Sequence, residues 1–312
     1  NKKKLRQKFN IPQDVVVVGL VSRNQLRKGF PQLIFALKEL RERNPDKDIR
    51  LLFNTSLKEG FDIPRLAKES GLSPEHIYVT HYCRQCKEYE VRPFSGHDQD
   101  CKLCGGKGTV NTVDISHAVS DEQLNEVYNL MDVAALPLTS GGLEYFCLES
   151  KLCEVPLLVT NYSCGTDAVK ENSGGFSLDW IPDVEAGSNF IKARTKISSI
   201  VEQVEWLIDL PKEERQNIGK LGRKYVLENY SISVIGKKWE EILDSLPDPD
   251  WSKDPQPKNP SHNPPQGLSP EEFVINLFKN ILHEKVDKNT SHVKNWTEHL
   301  KKSGDFNGVL QH

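Results

Sequence analysis

The sequence predicts an α/β fold built on a doubly wound parallel sheet. Three observations carry that prediction. Residues 15–21 form a continuous apolar run rich in valine, the pattern of a strand buried on both faces. Strand-like and helix-like segments then alternate through the first two-thirds of the chain, as in stacked βαβ units. Near the middle, residues 140–149 and 156–160 read as a Gly-containing loop, a helix carrying an acid, and another buried strand.

The elements follow in order. Residues 30–43 place Phe30, Leu33, Ile34, Leu37 and Leu40 at helical spacing, and Asn44-Pro45 ends the helix. Residues 49–53 are a second strand. Residues 63–70 are a helix with Gly71 just past its end. Residues 76–80 are a third strand. Residues 121–131 are helical, 133–138 a strand, 148–153 a short helix opened by Glu149, and 156–160 a strand. Helices are expected over 196–210 and 212–243, with Pro211 between them.

Residues 81–111 interrupt this rhythm with cysteine pairs and polar residues, and read as an insertion. Seven of the 18 prolines (Pro247, Pro249, Pro255, Pro257, Pro260, Pro264 and Pro265) then mark an extended linker over 247–268. Ser269-Pro-Glu-Glu272 is a capping box with proline at the first helical position. It opens a helix with Phe273, Leu277, Phe278 and Ile281 on one face. A second helix is expected over 291–302, around Val293, Trp296 and Leu300. The expected division is a main α/β domain over 1–246, the insertion within it, the linker, and a small all-α tail over 269–312. So short a tail has little core of its own. It either docks elsewhere or is cut short.

Lys+Arg number 41 and Asp+Glu 44, a formal net charge of −3. Such a balance offers no global attraction to nucleic acid or to a membrane surface. No run of 18 apolar residues is present, so no membrane-spanning helix is expected. The chain starts at Asn1 and its only methionine is Met131, so a natural N-terminal part is expected to be missing. With no secretory signal at its start, it is expected to be cytoplasmic.

Between the first strand and the first helix stands Gly19-Leu-Val-Ser-Arg23-Asn-Gln-Leu-Arg27-Lys28-Gly29. Loops at this place in an open α/β sheet line the ligand crevice. Arg23 supplies a bidentate fork and Lys28 a point charge, as a diphosphate requires. The other reading is a solvated basic loop capping a helix. Glu149, past the Gly141-Gly142 loop, is placed to accept hydrogen bonds from a ribose diol, or is a plain helix-end acid. Glu144 is ambiguous in the same way. Gly165, in the loop after the next strand, offers backbone donors or sits in an ordinary turn.

Cys83-Arg-Gln-Cys86 and Cys101-Lys-Leu-Cys104 are separated by 14 residues. Two such knuckles make a closed four-thiolate site, the usual structural zinc geometry, in a reducing compartment. Unmetallated or redox thiols, or His81 or His97 in place of one cysteine, are the alternatives. The metal would supply folding energy to a segment with almost no apolar core. Lys87, Arg92, Lys102 and Lys107 are offset by Glu88, Glu90, Asp98 and Asp100, against a strong phosphate-binding surface. Nucleic acid is therefore not the expected partner. The remaining Cys147, Cys153 and Cys164 read as small buried residues.

Several segments in fixed order resemble the C-terminal half of family 4 glycosyltransferases. They are Arg23-x4-Lys28, the stretch 119–133, Leu136-Pro-Leu-Thr-Ser140, Glu149 with Pro156-Leu-Leu-Val-Thr160, and 221–231 with Trp239. The resemblance covers residues 5–245 apart from the insertion. It implies the Rossmann-like donor domain of a two-domain GT-B fold. It implies that Arg23 and Lys28 contact the diphosphate of a nucleotide-sugar donor, and that Glu149, the second acid of the E-x7-E motif, binds the ribose. The implied reaction transfers a sugar with retention of anomeric configuration and without a catalytic metal. Gly141, Gly142, Glu144 and Gly165 complete the implied donor-binding set.

The chain departs from the family in two ways. Gly141 stands where the first motif Glu belongs, with Glu144 as a candidate replacement. The N-terminal acceptor domain is absent, so the acceptor is unknown. The alternative reading is a degenerate, glycosyltransferase-like binding module that recruits a partner through its ribbon or tail. Residues 273–282, Asp287 and Val293–Trp296 resemble a small helical domain found at the ends of some bacterial and phage proteins, including glycosyltransferases.

Overall fold

The computed structural model describes residues 2–246, 267–280 and 286–303. The chain divides into two compact units, Asn1–Glu240 and Glu241–His312.

The first unit is built on one mixed sheet. Its strands are Val16–Val21 (β1), Ile49–Asn54 (β2), Ile77–Cys83 (β3), Tyr89–Pro93 (β4), Val110–Thr112 (β5), Val133–Leu136 (β6), Leu157–Thr160 (β7) and Gly175–Leu178 (β8). The order β3-β2-β1-β6-β7-β8 is parallel throughout. This is the doubly wound order in which the chain reverses direction across the sheet between β1 and β6. The expected parallel sheet is present. β4 and β5 run antiparallel to β3 and come from the cysteine insertion. A separate antiparallel hairpin, Trp180–Val184 (β9) and Ile191–Thr195 (β10), has no counterpart in the sequence reading.

The helices of this unit are Lys2–Lys8 (α1), Phe30–Arg43 (α2), Ile63–Glu69 (α3), Asp121–Leu130 (α4), Tyr145–Leu152 (α5), Gly165–Ala168 (α6), Ile197–Asp209 (α7) and Lys212–Tyr230 (α8), while Ile232–Ser245 (α9) runs across the division between the units. The first, α1, was not foreseen. The single helix expected over 212–243 is two helices, because Ser231 takes an extended conformation (φ −63°, ψ 151°). The helix bearing Glu149 starts at Tyr145 rather than at residue 148, so Glu149 sits mid-helix and Glu144 takes the N-cap position.

The core lies on both faces of the central strands. Val17, Val18 and Leu20 of β1 and Leu51, Leu52 and Phe53 of β2 are buried, as a sheet covered on both sides requires. Phe30 of α2 meets Phe53 edge-on at 5.1 Å between ring centroids. Gly29, between the β1 loop and α2, has φ +65°, and a Cβ on it would lie 2.0 Å from Pro137 O. Only glycine lets the β1 loop approach the β6 loop so closely.

In the second unit, Pro270–Asn280 (α10) and Ser291–Ser303 (α11) pack around Val274, Phe278, Val293 and Leu300. The capping box at Ser269 is present: Ser269 Oγ accepts from Glu272 N at 3.3 Å, and Glu272 Oε2 accepts from Ser269 N at 2.8 Å. The proline-rich stretch 247–266 and Ile281 lie outside the described residues. Among the described residues no helix is long and apolar enough to cross a membrane.

Candidate functional site

The loops that leave the carboxyl ends of β1 and β6 meet at the reversal point of the sheet. The β1 loop carries Arg23, Arg27 and Lys28, and the β6 loop carries Gly141, Gly142 and Glu144. Arg27 Nη1 donates to Glu144 Oε1 at 2.7 Å, and Lys28 Nζ donates to Glu144 Oε2. One carboxylate thus gathers two cations of the β1 loop. Lys28 is buried, whereas Arg23 and Arg27 are open to solvent.

Arg23 faces the other way and forms a fork with Glu59 Oε2 at 2.9 and 3.0 Å. Glu59 lies on the loop after β2, which buried Asn24 holds in place. Asn24 Nδ2 donates to the Glu59 and Phe61 carbonyls at 2.5 and 2.9 Å, and its Oδ1 accepts from Phe61 N at 3.1 Å. Arg23, Arg27, Glu59, Thr139 and Lys192 line an open cavity of about 650 Å³. Lys28 lies off this wall, paired with Glu144. Beside it, Arg23 and Glu59 border a smaller cavity of about 210 Å³, where buried Asn54 Oδ1 and Thr55 Oγ1 have no hydrogen-bond partner.

Glu149 is held from behind. The hydroxyl of Tyr128, on α4, donates to Glu149 Oε2 at 2.6 Å. Burial, and then the Glu149 charge, hold the Tyr128 phenol well above its ordinary pKa, so it stays a donor. Cys147 is buried on the same helix, and burial pushes its thiol up to about 12. It is no nucleophile, in line with its expected packing role.

Gly142 is exposed. Gly141 is stitched to the β7 loop: its N–H donates to Ser163 Oγ at 3.3 Å, and that hydroxyl donates to Gly141 O at 2.6 Å. Gly165 is buried and its N–H donates to Tyr162 O at 3.1 Å. A Cβ at 165 would lie 2.0 Å from Thr160 O, so glycine there serves close packing against β7.

The sequence reading missed Arg27, Asn24, Glu59 and Lys192. Arg27 adjoins Lys28 and its charge was visible, but nothing local told which cation of the loop meets Glu144. Glu59 and Lys192 come from other loops, and only the tertiary fold brings them to the cavity.

The insertion forms a second candidate site. The ligand atoms of Cys83, Cys86, Cys101 and Cys104 all lie within 4.8 Å of one another. Cys83 Sγ and Cys104 Sγ are 3.8 Å apart, as are Cys86 Sγ and Cys101 Sγ. That separation matches the edge of a tetrahedron with metal–sulfur bonds of about 2.3 Å. The two knuckles share a turn. Lys87 N donates to Cys83 O at 3.0 Å and Gly105 N to Cys101 O at 2.9 Å, with Lys87 and Gly105 both at positive φ. Neither His81 nor His97 belongs to the cluster. His81 is buried on β3, and desolvation draws its pKa down to about 4.

The insertion also touches the loop that carries Glu59. Leu57 N donates to Thr112 Oγ1 at 3.2 Å, and Lys58 lies 3.6 Å from Asp98.

No family model matches the chain. It is 33% identical over 240 residues to the capsular polysaccharide biosynthesis glycosyltransferase CapM of Staphylococcus aureus, an alignment covering 73% of this chain and 54% of that protein. The chain thus spans about half the length of the curated relative it matches. In fold it is similar to HepE of Anabaena, solved in complex with UDP-glucose, with a TM-score of 0.53 at 14% identity. That likeness covers 78% of this chain and 52% of HepE. It is similar too to sucrose-phosphate synthase of Thermosynechococcus elongatus, with a TM-score of 0.53 at 15% identity over 78% of this chain and 49% of that one.

Proposed function

From the premise that this chain is a homologue of the family 4 type of glycosyltransferases, with the fold of one half of a GT-B enzyme, we propose that it is the donor-binding half of a retaining transferase. The donor is a nucleotide-diphosphate sugar. Uridine diphosphate sugars are the first candidates, because the similar HepE was solved with UDP-glucose. The acceptor side would be supplied by a further domain.

One observation carries the reading. At the reversal point of a doubly wound sheet, one loop presents Arg23 paired with Glu59, and Arg27 and Lys28 paired with Glu144; Glu149, held by Tyr128, lines neither cavity. Ligands of such sheets bind in the crevice outside the carboxyl ends of the strands, where the strand order reverses.

In this reading the β1-loop cations bind the diphosphate and stabilise the charge that grows on it as the sugar–oxygen bond breaks. Glu149 accepts from the ribose hydroxyls, with Tyr128 fixing its orientation. Glu144 takes the part of the first motif acid that Gly141 lacks. It contacts the donor sugar once phosphate has replaced it as partner to Arg27 and Lys28.

The degenerate-module reading rests on Gly141 and on the missing acceptor half. It is weakened because the carboxylate missing at 141 has a substitute three residues on. The four cysteines are assigned to one structural zinc ion with no open position for chemistry. The metal orders the insertion and the strands β4 and β5.

The test is a binding panel of uridine, guanosine and adenosine diphosphates and their sugars, with wild type beside Lys28→Ala. Stabilisation by one base, lost in the variant, supports the donor site. Absence of binding to every nucleotide by the folded, zinc-loaded chain moves the assignment to the binding module.

A further inference from the structure

Resting on the nucleotide-sugar reading, we propose that Lys192 is a further diphosphate-binding residue, delivered by the β9–β10 hairpin to the cavity that the β1 loop also lines. Lys192 lines the same cavity as Arg23 and Arg27. Its partners differ from theirs. Arg23 is paired with Glu59, and Arg27 and Lys28 share Glu144. Lys192 Nζ meets the neutral Ser140 Oγ at 3.0 Å and lies 5.9 Å from the centre of the Phe190 ring. No carboxylate pairs with it among the described residues.

This difference decides which cation answers an incoming phosphate first. Arg23, Arg27 and Lys28 each already hold a carboxylate, whose charge competes with an incoming phosphate. Lys192 holds only a neutral hydroxyl and gains a fully ionic partner in phosphate, the stronger interaction. That hydroxyl, Ser140 Oγ, belongs to the β6 loop, so phosphate bound to Lys192 would lie beside the loops of β1 and β6.

The hairpin that holds Lys192 is fixed at several points. Ala193 N donates to Thr139 O at 3.0 Å, and the Tyr162 hydroxyl donates to Ile191 O at 2.7 Å. Trp180 Nε1 donates to Asn161 O at 2.9 Å. The Thr160 and Thr195 hydroxyls share a buried bond of 2.6 Å. Lys192 is therefore pre-positioned by the loops after β6 and β7 rather than hung on a free arm. Asp183 and Glu185 of the same hairpin also line the cavity. Asp183 is paired with Arg194 at 2.9 Å; Glu185 accepts from Ser188 Oγ at 2.6 Å and keeps its charge, and neither acid forms an ion pair with Lys192 among the described residues.

The experiment is titration calorimetry on the full chain with UDP, GDP and ADP, using wild type, Lys192→Ala and Lys192→Arg. The diphosphate that wild type binds should bind Lys192→Ala roughly tenfold or more weakly, the loss of one hydrogen bond to a charged group. Lys192→Arg should recover most of that affinity, and the unfolding midpoint without ligand should be the same in all three proteins. Wild-type binding that Lys192→Ala retains within a factor of two would overturn the inference while leaving the donor site standing. So would a loss that Lys192→Arg does not repair. A wild type that binds none of the three overturns the nucleotide reading and this inference with it.

Discussion

The carboxylate of Glu144 fills the space that a side chain on Gly141 would need. A Cβ at 141 would stand 2.5 Å from Glu144 Oε1 and 3.2 Å from Cys164 Sγ. Glycine at 141 and an acid at 144 are therefore one arrangement, in which the acid reaches the cations of the β1 loop from three residues further along the chain.

Gly141→Ala should fold, because the obstructing atom is the end of a flexible side chain. It should also push Glu144 away from Arg27 and Lys28. Calorimetry should then show a split. The nucleotide sugar should bind more weakly, having lost its acid. The nucleoside diphosphate should bind as well as before or better, because its cations are released. Equal losses for both ligands would mean that Glu144 does not discriminate the sugar.

Tyr128 and Glu149 allow fold and binding to be separated. Tyr128→Phe removes the 2.6 Å hydrogen bond and should cost about 1–2 kcal/mol of stability, read from urea unfolding. Its effect on nucleotide affinity should be small, since Glu149 keeps its charge. Glu149→Gln still accepts from Tyr128 and should unfold close to wild type. Its nucleotide affinity should fall about tenfold, on the order of one charged hydrogen bond. The reverse pattern would assign Glu149 to helix packing.

Much of this site was legible because its residues are local in sequence. A buried valine run followed by Arg23 and Lys28 is a β1 loop whatever the rest of the chain does, and the alternation of strands and helices fixed the place of that loop at the ligand edge. Pro156 and the apolar residues after it located β7. The position of Glu149 within its helix was misjudged, because Gly141 and Gly142 read as a longer loop. The helix instead begins at once after Glu144, with Tyr145 exposed and Phe146 buried. Glu59 and Lys192 were invisible for a different reason. Each is a common surface residue, and its role depends on which loops the sheet brings together. The hairpin strands alternate poorly, with Val184, Phe190 and Ile191 exposed, so no period-2 signal announced them.

The cysteine site predicts about one zinc per chain by elemental analysis, from four thiolates at tetrahedral spacing. A strong chelator should lower the unfolding midpoint, as should Cys83→Ser with Cys101→Ser. Affinity should respond too, because Thr112 and Asp98 of the insertion contact Leu57 and Lys58 beside Glu59, the partner of Arg23. Metal loss should therefore weaken nucleotide binding as well as stability. Unchanged affinity in the stripped, still folded chain would make the insertion mechanically separate from the site.

Lys151 gives the sharpest dependence on pH. Its side chain is buried on α5, donates to Ala168 O at 2.6 Å and faces the Tyr225 ring, and among the described residues no carboxylate pairs with it. Desolvation draws its pKa down from 10.5 to about 8. The unfolded chain thus binds a proton that the folded chain holds less tightly. Stability from this group should rise with pH between about 8 and 10.5, and below that window the charged lysine should cost about 3 kcal/mol. Lys151→Met keeps the length and removes the charge. The Ala168 carbonyl retains Ser173 Oγ as donor at 2.9 Å, so no acceptor is stranded. The variant should be more stable than wild type at pH 7, and the gap between them should close as the pH is raised toward 10. A gap that stays constant across that range would show that Lys151 keeps an ordinary lysine pKa in the fold, its ammonium having a partner in solution.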